Sequence, residues 1–346
     1  MNNSFFELDI HRLDDSGDAL IIIDQTELPT RQLYIELKTK EEVYSAIKQL
    51  KVRGAPAIGI AAAFGLYLSI KHSVSQTYDD FYQEFMQNKN FLSAARPTAV
   101  NLNWALNRME FVVIENKEKP IKQIMLKLKE EAERIKEKDI ATCSSIGHYG
   151  KELIKDGMGI LTHCNAGHLA TGKYGTALSP IYFAHQEKKQ FKVYADETRP
   201  LLQGARLTAY ELQQSGIDVT LICDNMASIV MKNGWINLIL TGCDRVAANG
   251  DTANKIGTSG VAILAQYYRI PFYICGPTSS FDMNCKTGKD IIIEERDGAE
   301  ITDMWYSKPM APEDCKTYNP AFDVTDHTLI TGFITEKGII HPPFDL

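Results

Sequence analysis

Residues 159–167 read GILTHCNAG, and this stretch decides the fold class of the second half of the chain. Its first five residues form a short apolar run. Comparable runs, separated by helical stretches, recur at Phe191–Ala195, Val219–Cys223, Asn237–Thr241 and Pro271–Cys275. Short β-rich runs alternating with helices are typical of a doubly wound parallel sheet. The sequence therefore predicts an α/β fold with a Rossmann-like C-terminal domain.

The first half of the chain predicts a smaller, mainly helical domain that carries short strands. Strand-like runs are followed by helical patterns, and these elements are expected at Ala19–Ile23, Gln32–Leu37, Thr39–Leu50, Ile58–Ile70, Tyr78–Leu92, Asn101–Val113 and Ile121–Tyr149. No linker separates the halves, so the last of these helices is expected to connect them. We predict an N-terminal helical/β domain over residues 1–125 and a Rossmann-like catalytic domain over residues 126–346.

Composition and charge exclude several classes of function. The chain has 346 residues, 44 acidic and 37 basic, with a net charge of -7. A mildly acidic protein is poorly suited to nucleic acid, which requires clustered Lys and Arg, whereas a few donors can hold one small phosphorylated ligand. The longest apolar stretch, Ala55–Ile70, is broken by proline and glycine and is too short to span a membrane. We expect neither a nucleic-acid nor a membrane partner.

Cysteine usage and the N-terminus indicate a cytoplasmic protein. The seven cysteines are scattered without CxxC pairs or histidines at zinc spacing, which argues against a disulfide framework and a structural zinc site. The N-terminus lacks a basic segment followed by an apolar core, so no signal peptide is expected.

Polar residues follow four of the five predicted strands. In an open parallel sheet, ligands bind outside the carboxyl ends of the strands. The pairs at these positions are Cys164-Asn165, Asp196-Glu197, Asp224-Asn225 and Asp244-Arg245. Each Asp or Asn alone is equally well explained as a helix N-cap. The four pairs together favour a polar crevice.

Two of these residues are candidates for catalysis. Cys164 follows a buried strand and is expected to face a helix N-terminus, where the helix dipole favours a thiolate; a structural buried cysteine is the alternative. Asp244 follows Gly242-Cys243, and apolar walls around its carboxyl group would favour the protonated form that a general acid needs. An ion pair with Arg245 or a helix cap is the alternative for Asp244.

The polar stretch Asn249–Gly257 is predicted to bind phosphate. It precedes a helical run at Ser259–Tyr268, so backbone N–H groups at the helix start, together with Lys255, would face the anion. Arg53 and Arg96 add cations beside tight turns. No P-loop or GxGxxG fingerprint is present, so nucleotide hydrolysis and dinucleotide chemistry lack sequence support.

Six blocks of sequence, spread over almost the whole chain, resemble the methylthioribose-1-phosphate isomerases. They are RGAPAIG at 53–59, RPTAVNL at 96–102, THCNAG at 162–167, DETRPLLQGAR at 196–206, GCDRVAANGDTANKIG at 242–257 and NPAFDVT at 319–325. The wider family includes ribose-1,5-bisphosphate isomerases and regulatory subunits of a translation-initiation exchange factor, which are not isomerases. The presence of both Cys164 and Asp244 in their motif contexts favours the enzyme branch.

The resemblance implies the conversion of 5-methylthioribose 1-phosphate into 5-methylthioribulose 1-phosphate in methionine salvage. It implies Asp244 as proton donor and Cys164 as its partner at the sugar carbons, without a metal or a cofactor. It also implies a homodimer. The substrate and phosphate contacts that it implies are Arg53, Gly54, Ala55, Arg96, Gln203, Asn254 and Lys255.

One departure from the family pattern leaves the substrate open. After the cysteine the chain reads His168-Leu-Ala-Thr-Gly-Lys173, where a small residue is expected at 168 and no lysine at 173. Extra bulk and charge there favour a different group on sugar carbon 5. A 5-deoxyribose 1-phosphate isomerase in 5′-deoxyadenosine salvage is therefore an alternative, as is a ribose-1,5-bisphosphate isomerase. A non-catalytic sugar-phosphate-sensing or nucleotide-sensing module is the alternative outside the enzymes.

Overall fold

The computed structural model describes residues 8, 10–97 and 99–344. Most of the N-terminal segment assessed for a signal peptide, and Thr98 of the 96–102 block, therefore lie outside the described residues. The described residues form two compact units. The helical unit comprises residues 8, 10–97 and 99–141, together with His168–Gly175. The sheet unit comprises Thr142–Gly167 and residues 176–344.

The unit boundary differs from the predicted division at residues 125 and 126. It falls between Ala141 and Thr142, inside one continuous helix over Ile121–Gly150, which therefore contributes to both units. An uninterrupted helical pattern carries no signal of where one core ends and the next begins. The assignment of His168–Gly175 to the helical unit was likewise not predictable, because those residues directly follow a strand of the sheet unit.

The helical unit has a small antiparallel sheet in the order β1-β2-β3 and five helices around one core. Its elements are β1 Arg12–Leu13, β2 Leu20–Ile23, β3 Tyr34–Leu37, α1 Lys40–Lys48, α2 Ala55–Ile70, α3 Tyr78–Ser93, α4 Val100–Glu115 and α5 Ile121–Gly150. Thr39 begins α1 with a capping box that also uses Glu42. The Ala-rich α2 is buried over most of its length, as its sequence predicts.

The sheet unit contains the predicted doubly wound sheet. Seven strands lie in the order β14-β13-β10-β7-β4-β5-β6. Its principal elements are β4 Gly159–His163, α6 Ser179–Gln186, β5 Lys192–Asp196, α7 Ala209–Gln214, β6 Val219–Ile222, α8 Ala227–Lys232, β7 Leu238–Thr241, α9 Thr258–Tyr268, β10 Phe272–Cys275, β13 Gly332–Thr335 and β14 Gly338–Ile340. The five predicted strands β4, β5, β6, β7 and β10 all pair in parallel. The predicted fold class is thereby confirmed.

The strand order reverses between β4 and β7. From β4 the chain adds β5 and β6 on one side and then returns to place β7 on the other side. His163 is the register partner of Thr241, so the two strands end level with each other. Such a reversal point is where doubly wound sheets bind ligands. The segments that begin with Cys164 and Gly242 both leave the sheet there.

A second, smaller sheet was not predicted. It has the order β11-β8-β9-β12, with β8 Arg245–Ala247, β9 Thr252–Lys255, β11 Phe281–Asp282 and β12 Phe322–Thr325. The stretch around residues 249–251, interpreted as a phosphate loop, is the turn of the antiparallel β8–β9 hairpin. The remaining α-helix of the described residues is the short α10, Ala299–Thr302. None of the helices in the described part of the chain combines the length and apolar character that a membrane crossing requires.

Candidate active site

Cys164 lies directly after β4 in a left-handed backbone conformation. Its φ of 64° costs a non-glycine residue on the order of 1 kcal/mol. Its amide donates to Thr198 Oγ1 at 2.8 Å, and its carbonyl oxygen accepts from Thr208 Oγ1 at 2.6 Å. The next α-helix along the chain begins only at Ser179, so no α-helix starts directly after the cysteine.

His163, the residue before Cys164, joins three segments of the sheet unit. Its Nδ1 lies 2.9 Å from Asp196 Oδ2, and its Nε2 lies 2.8 Å from the carbonyl oxygen of Ile256. Burial alone would lower the pKa of His163, but the hydrogen bond and the negative charge of Asp196 outweigh it and raise the pKa to about 9. Gly257 packs directly against the imidazole ring, because a Cβ at this position would lie only 2.8 Å from His163 Cε1.

Asp196 and Asp224, which belong to the predicted polar pairs at the ends of β5 and β6, stabilise the loops at this edge of the sheet. Asp224 accepts the backbone N–H groups of Thr198 and Arg199, each at 2.7 Å, and so ties the segment after β6 to the segment after β5. Asp196 is buried against His163. Two of the four predicted groups, Asp196 and Asp224, therefore hold loops at this edge of the sheet.

Asp244 begins the β8–β9 hairpin at the end of the segment that follows β7. Its amide donates to the carbonyl oxygen of Ala253 at 2.9 Å. A Cβ on Gly242 would lie 2.8 Å from Ala166 Cβ, so the segments after β7 and β4 pack closely. Arg245 pairs with Asp282 at 3.4 Å. The Asp244 side chain is exposed, which differs from the apolar walls expected around it.

The predicted phosphate site at the start of α9 is occupied by a carboxylate. Asp323 accepts the N–H of Gly257 at 2.8 Å, the N–H of Ser259 at 3.1 Å and the Ser259 hydroxyl at 2.8 Å. The expectation that these N–H groups face an anion of the substrate is therefore wrong. The Lys255 ammonium donates to the carbonyl oxygen of Ala321 at 2.8 Å and lies 4.4 Å from the centroid of the Phe322 ring.

The other substrate candidates divide between the two units. Asn254 and Gln203 lie in the sheet unit with Lys255, and both are buried. Asn254 donates to Thr258 Oγ1 at 3.0 Å, whereas Gln203 Oε1 has no hydrogen-bond partner among the described residues. An unpartnered buried amide oxygen is costly, which makes Gln203 the best-placed candidate to meet a polar ligand.

Arg53, Gly54, Ala55 and Arg96 all belong to the helical unit. Gly54 has a φ of 93°, and a Cβ there would lie 2.5 Å from the Ala170 backbone. The 53–55 turn therefore packs closely against the His168–Gly175 segment of the same unit. Within that segment His168 is buried, and the Lys173 ammonium lies 5.1 Å from the Tyr174 ring centroid.

Two groups of ionisable side chains in the described residues have the spacing of metal ligands. They are His163, Asp196 and Asp224, and a second group of Asp251, Asp326 and His327. In the first group, hydrogen bonds within the protein already engage the His163 and Asp224 ligand atoms. In the second, Asp251 accepts from Asn249, Gly288 and His327.

The fold defines a Rossmann-like α/β protein in which Cys164 and Asp244 follow the two strands at the reversal point of the sheet. The model of the Initiation factor 2 subunit family matches residues 51–342. The chain therefore belongs to the Initiation factor 2 subunit family.

Relatives in this family carry names of sugar 1-phosphate isomerases. The methylthioribose-1-phosphate isomerase of Symbiobacterium thermophilum is 62% identical, over 96% of this chain and 92% of the relative. The 5-deoxyribose 1-phosphate isomerase of Clostridium botulinum strain Kyoto is 56% identical, over 96% and 95%. The crystal structure of 5-methylthioribose 1-phosphate isomerase from Pyrococcus horikoshii OT3 matches with a TM-score of 0.91 at 44% identity, over 96% of this chain and 92% of that one.

Proposed function

We propose that the protein is an aldose–ketose isomerase that converts 5-methylthioribose 1-phosphate into 5-methylthioribulose 1-phosphate. The observation that carries the proposal is the placement of Cys164 and Asp244 after β4 and β7, the strands on either side of the reversal point. A ligand in that crevice would lie between a thiol and a carboxyl group. The similarity to relatives named as this isomerase, at 62% and 44% identity, supports the choice of substrate.

The chemistry of the substrate requires an acid. In an aldose 1-phosphate the anomeric oxygen carries the phosphoryl group, so the ring cannot open by simple reversal of a hemiacetal. A proton must be supplied to the ring oxygen as its bond to C1 breaks. We assign this proton to Asp244, whose exposed carboxyl group would be removed from water by the bound sugar.

Hydrogen must then move from C2 to C1, and Cys164 is assigned to this step. In one route the Cys164 thiolate takes the C2 proton, the resulting thiol returns a proton to C1, and the C2 hydroxyl proton passes to the Asp244 carboxylate. In the other, hydride moves directly from C2 to C1, the C2 hydroxyl proton passes to the Asp244 carboxylate, and the thiolate stabilises the positive charge that develops at these carbons. Substrate deuterated at C2 separates the routes, because hydride transfer keeps the label at C1 and a proton route can exchange it with solvent.

A second substrate, 5-deoxyribose 1-phosphate, is favoured by two specific observations. A relative with this activity in its name is 56% identical to the chain over 331 residues. The buried His168 and the cation of Lys173 also depart from the pattern expected of the methylthioribose enzymes. The same two catalytic residues would serve for this substrate.

The test is turnover of the purified protein with each candidate substrate. Incubation with 5-methylthioribose 1-phosphate, 5-deoxyribose 1-phosphate and ribose 1,5-bisphosphate separately, followed by NMR, would report ketose formation and rank the three. We expect Cys164→Ala and Asp244→Asn to lower kcat roughly 100-fold or more. Cys223→Ala and Asp218→Asn, which change an exposed thiol and an exposed carboxyl group of the same unit, are the matched controls.

Two outcomes would contradict the proposal. Full activity in Cys164→Ala or Asp244→Asn would remove that residue from the chemistry. Turnover of none of the three substrates, by a folded protein that still binds a sugar phosphate, would favour a sensing module of the family instead.

We also propose a homodimer in the cytoplasm. The edge strand β6 leaves Leu221 exposed, and Met226 and Ile229 in the following segment are about half exposed, so this edge has apolar surface for a second copy. Light scattering should give twice the chain mass of 38.8 kDa, and Ile229→Glu should give the monomer.

The seven cysteines lie within the described residues and none forms a disulfide, which suits a reducing compartment.

A further inference from the structure

The backbone of Cys164 lies in the middle of a directed series of hydrogen bonds inside the sheet unit. On one side its N–H donates to Thr198 Oγ1, and that hydroxyl group donates to the carbonyl oxygen of Asp196 at 3.1 Å. On the other side its carbonyl oxygen accepts from Thr208 Oγ1. Each threonine hydroxyl thus satisfies one polar group of the Cys164 backbone.

The series continues beyond Thr208 to a buried carboxyl group. Asn165 Nδ2 donates to Thr208 Oγ1 at 3.1 Å and to Glu211 Oε1 at 3.0 Å. The Tyr182 hydroxyl donates to Glu211 Oε2 at 2.8 Å. Burial, and then the neighbouring Glu211, raise the pKa of Tyr182 well above its usual value, so its hydroxyl group remains a donor. Donors and acceptors therefore match along the whole series.

Burial makes these bonds costly to remove. Thr198, Thr208 and Glu211 have no exposed surface, and Asn165 is 3% exposed. A buried polar group left without its partner costs free energy comparable to the strain of the left-handed Cys164. A series that is satisfied from end to end can therefore hold a conformation that the cysteine would not adopt alone.

The local fold is built around this arrangement. Thr208 ends a π-helical turn over Gly204–Thr208, a wide turn that is often found at functional sites. A Cβ on Gly204 would lie 1.7 Å from the carbonyl oxygen of Asp196, so only glycine allows the turn to approach the strand end. The close approach brings Thr208 within reach of Cys164.

We propose that Thr198 and Thr208, supported by Asn165 and Glu211, are positioning residues that fix the Cys164 thiol for hydrogen transfer. This role rests on the proposed isomerase function. The two threonine hydroxyl groups act through the backbone of Cys164, and Glu211 fixes the far end of the series. None of these four side chains needs to touch the substrate.

The test compares Thr208→Val, which keeps the shape and removes the hydroxyl group, with Thr208→Ser, which keeps the hydroxyl group. We expect Thr208→Val to lower kcat roughly 10- to 100-fold, as small misplacements of reacting groups do, with KM changed less than about twofold. Thr208→Ser should recover most of kcat. Thr325→Val is the matched control, because Thr325 is fully buried in the same unit and its hydroxyl oxygen has no partner among the described residues.

A second readout does not depend on isomerase activity. Iodoacetamide alkylates accessible thiols, and peptide mass spectrometry gives the rate for each cysteine separately. The rate at Cys164 divided by the rate at exposed Cys223 reports the placement of the Cys164 thiol directly. We expect Thr208→Val to change this ratio several-fold and Thr325→Val to leave it unchanged. Thr198→Val tests the other side of Cys164 and serves where Thr208→Val does not fold.

The outcomes separate the two proposals. If wild-type protein turns over no aldose 1-phosphate but the alkylation ratio responds to Thr208→Val, the isomerase proposal fails and the positioning of Cys164 stands. If folded Thr208→Val and Thr198→Val match Thr325→Val in both kcat and alkylation ratio, the positioning role is refuted.

Discussion

His163 places both of its ring nitrogens against oxygen atoms, the carboxylate of Asp196 and the carbonyl of Ile256. A carbonyl oxygen can only accept, so Nε2 must carry a proton. The contact at Nδ1 then needs one more proton, on the ring or on Asp196. Burial raises the pKa of Asp196, and the partner raises that of His163, so the pair holds this proton together across neutral pH.

This pair predicts that the sheet unit loses stability as the pH rises. The pKa of His163 is raised from 6.5 to about 9, so the stabilisation is fully present below pH 6.5 and is lost as the pH rises through about 9. The loss should be about 3 kcal/mol, since one pKa unit corresponds to about 1.4 kcal/mol. Urea unfolding between pH 6 and pH 10 measures it, and His163→Gln should flatten the dependence. An unchanged slope in that variant would contradict the assignment.

At the same scale, sequence reasoning found some site residues and missed others for a physical reason. Cys164 and Asp244 stand out because the ends of parallel strands mark the ligand crevice of such sheets. Thr208 and Glu211 carry no such signal, because they lie 44 and 46 residues from their partners Cys164 and Asn165. In the sequence, nothing distinguishes these two residues from other threonines and glutamates in helical stretches. Only the fold shows that they lie near the cysteine.

At the scale of elements, periodicity predicted what the local sequence determines. The helix over residues 40–48 and the strand over residues 159–163 appear within a few residues of their predicted bounds. The β8–β9 hairpin was missed, because its strands have only three and four residues and pair with β11 and β12 from distant parts of the chain. Asp323, which comes from β12, accepts the N–H groups of Gly257 and Ser259 that were predicted to bind phosphate.

Helix α9 therefore depends on a cap supplied from a distant strand. Asp323→Ala removes acceptors from the Gly257 N–H, the Ser259 N–H and the Ser259 hydroxyl group. We expect a loss of about 1–2 kcal/mol in unfolding free energy, the range for losing an N-cap. Chemical denaturation measures it, and Asp326→Ala, which removes a cap from a three-residue turn nearby, is the comparison. A loss in Asp323→Ala no greater than in Asp326→Ala would contradict the importance of the cap.

At the scale of the whole molecule, the chain folds into units that are not contiguous in sequence. The segment His168–Gly175 leaves the sheet unit four residues after Cys164 and packs within the helical unit, where Leu169 accepts a hydrogen bond from Gln25. Sequence reasoning predicted two contiguous domains that meet at residues 125 and 126. It could not assign His168–Gly175 to the helical unit, because eight residues are too few to display a periodicity of their own.

The two units are predicted to limit the stability of the protein at opposite ends of the pH range. His11 in the helical unit is fully buried, and both of its ring nitrogens lack hydrogen-bond partners among the described residues. Burial, with the nearby Lys136 and His168, lowers the pKa of His11 from 6.5 to about 3. Below pH 6.5 the unfolded chain therefore takes up a proton that the folded His11 does not, so the stability of the fold decreases as the pH falls toward 3.

Hydrogen exchange with mass spectrometry, read separately for peptides of α2 and β4, resolves the two effects. Acidification from pH 6.5 to 4 should lower the unfolding free energy reported by α2 by up to about 1.4 kcal/mol per pH unit through His11. His11→Asn should reduce that slope whatever it does to the stability at pH 7, because asparagine does not titrate and tolerates the left-handed φ of 55° at this position. The alkaline slope reported by β4 should be unaffected, since it depends on His163. An acid slope in α2 that survives His11→Asn unchanged would refute the assignment to His11.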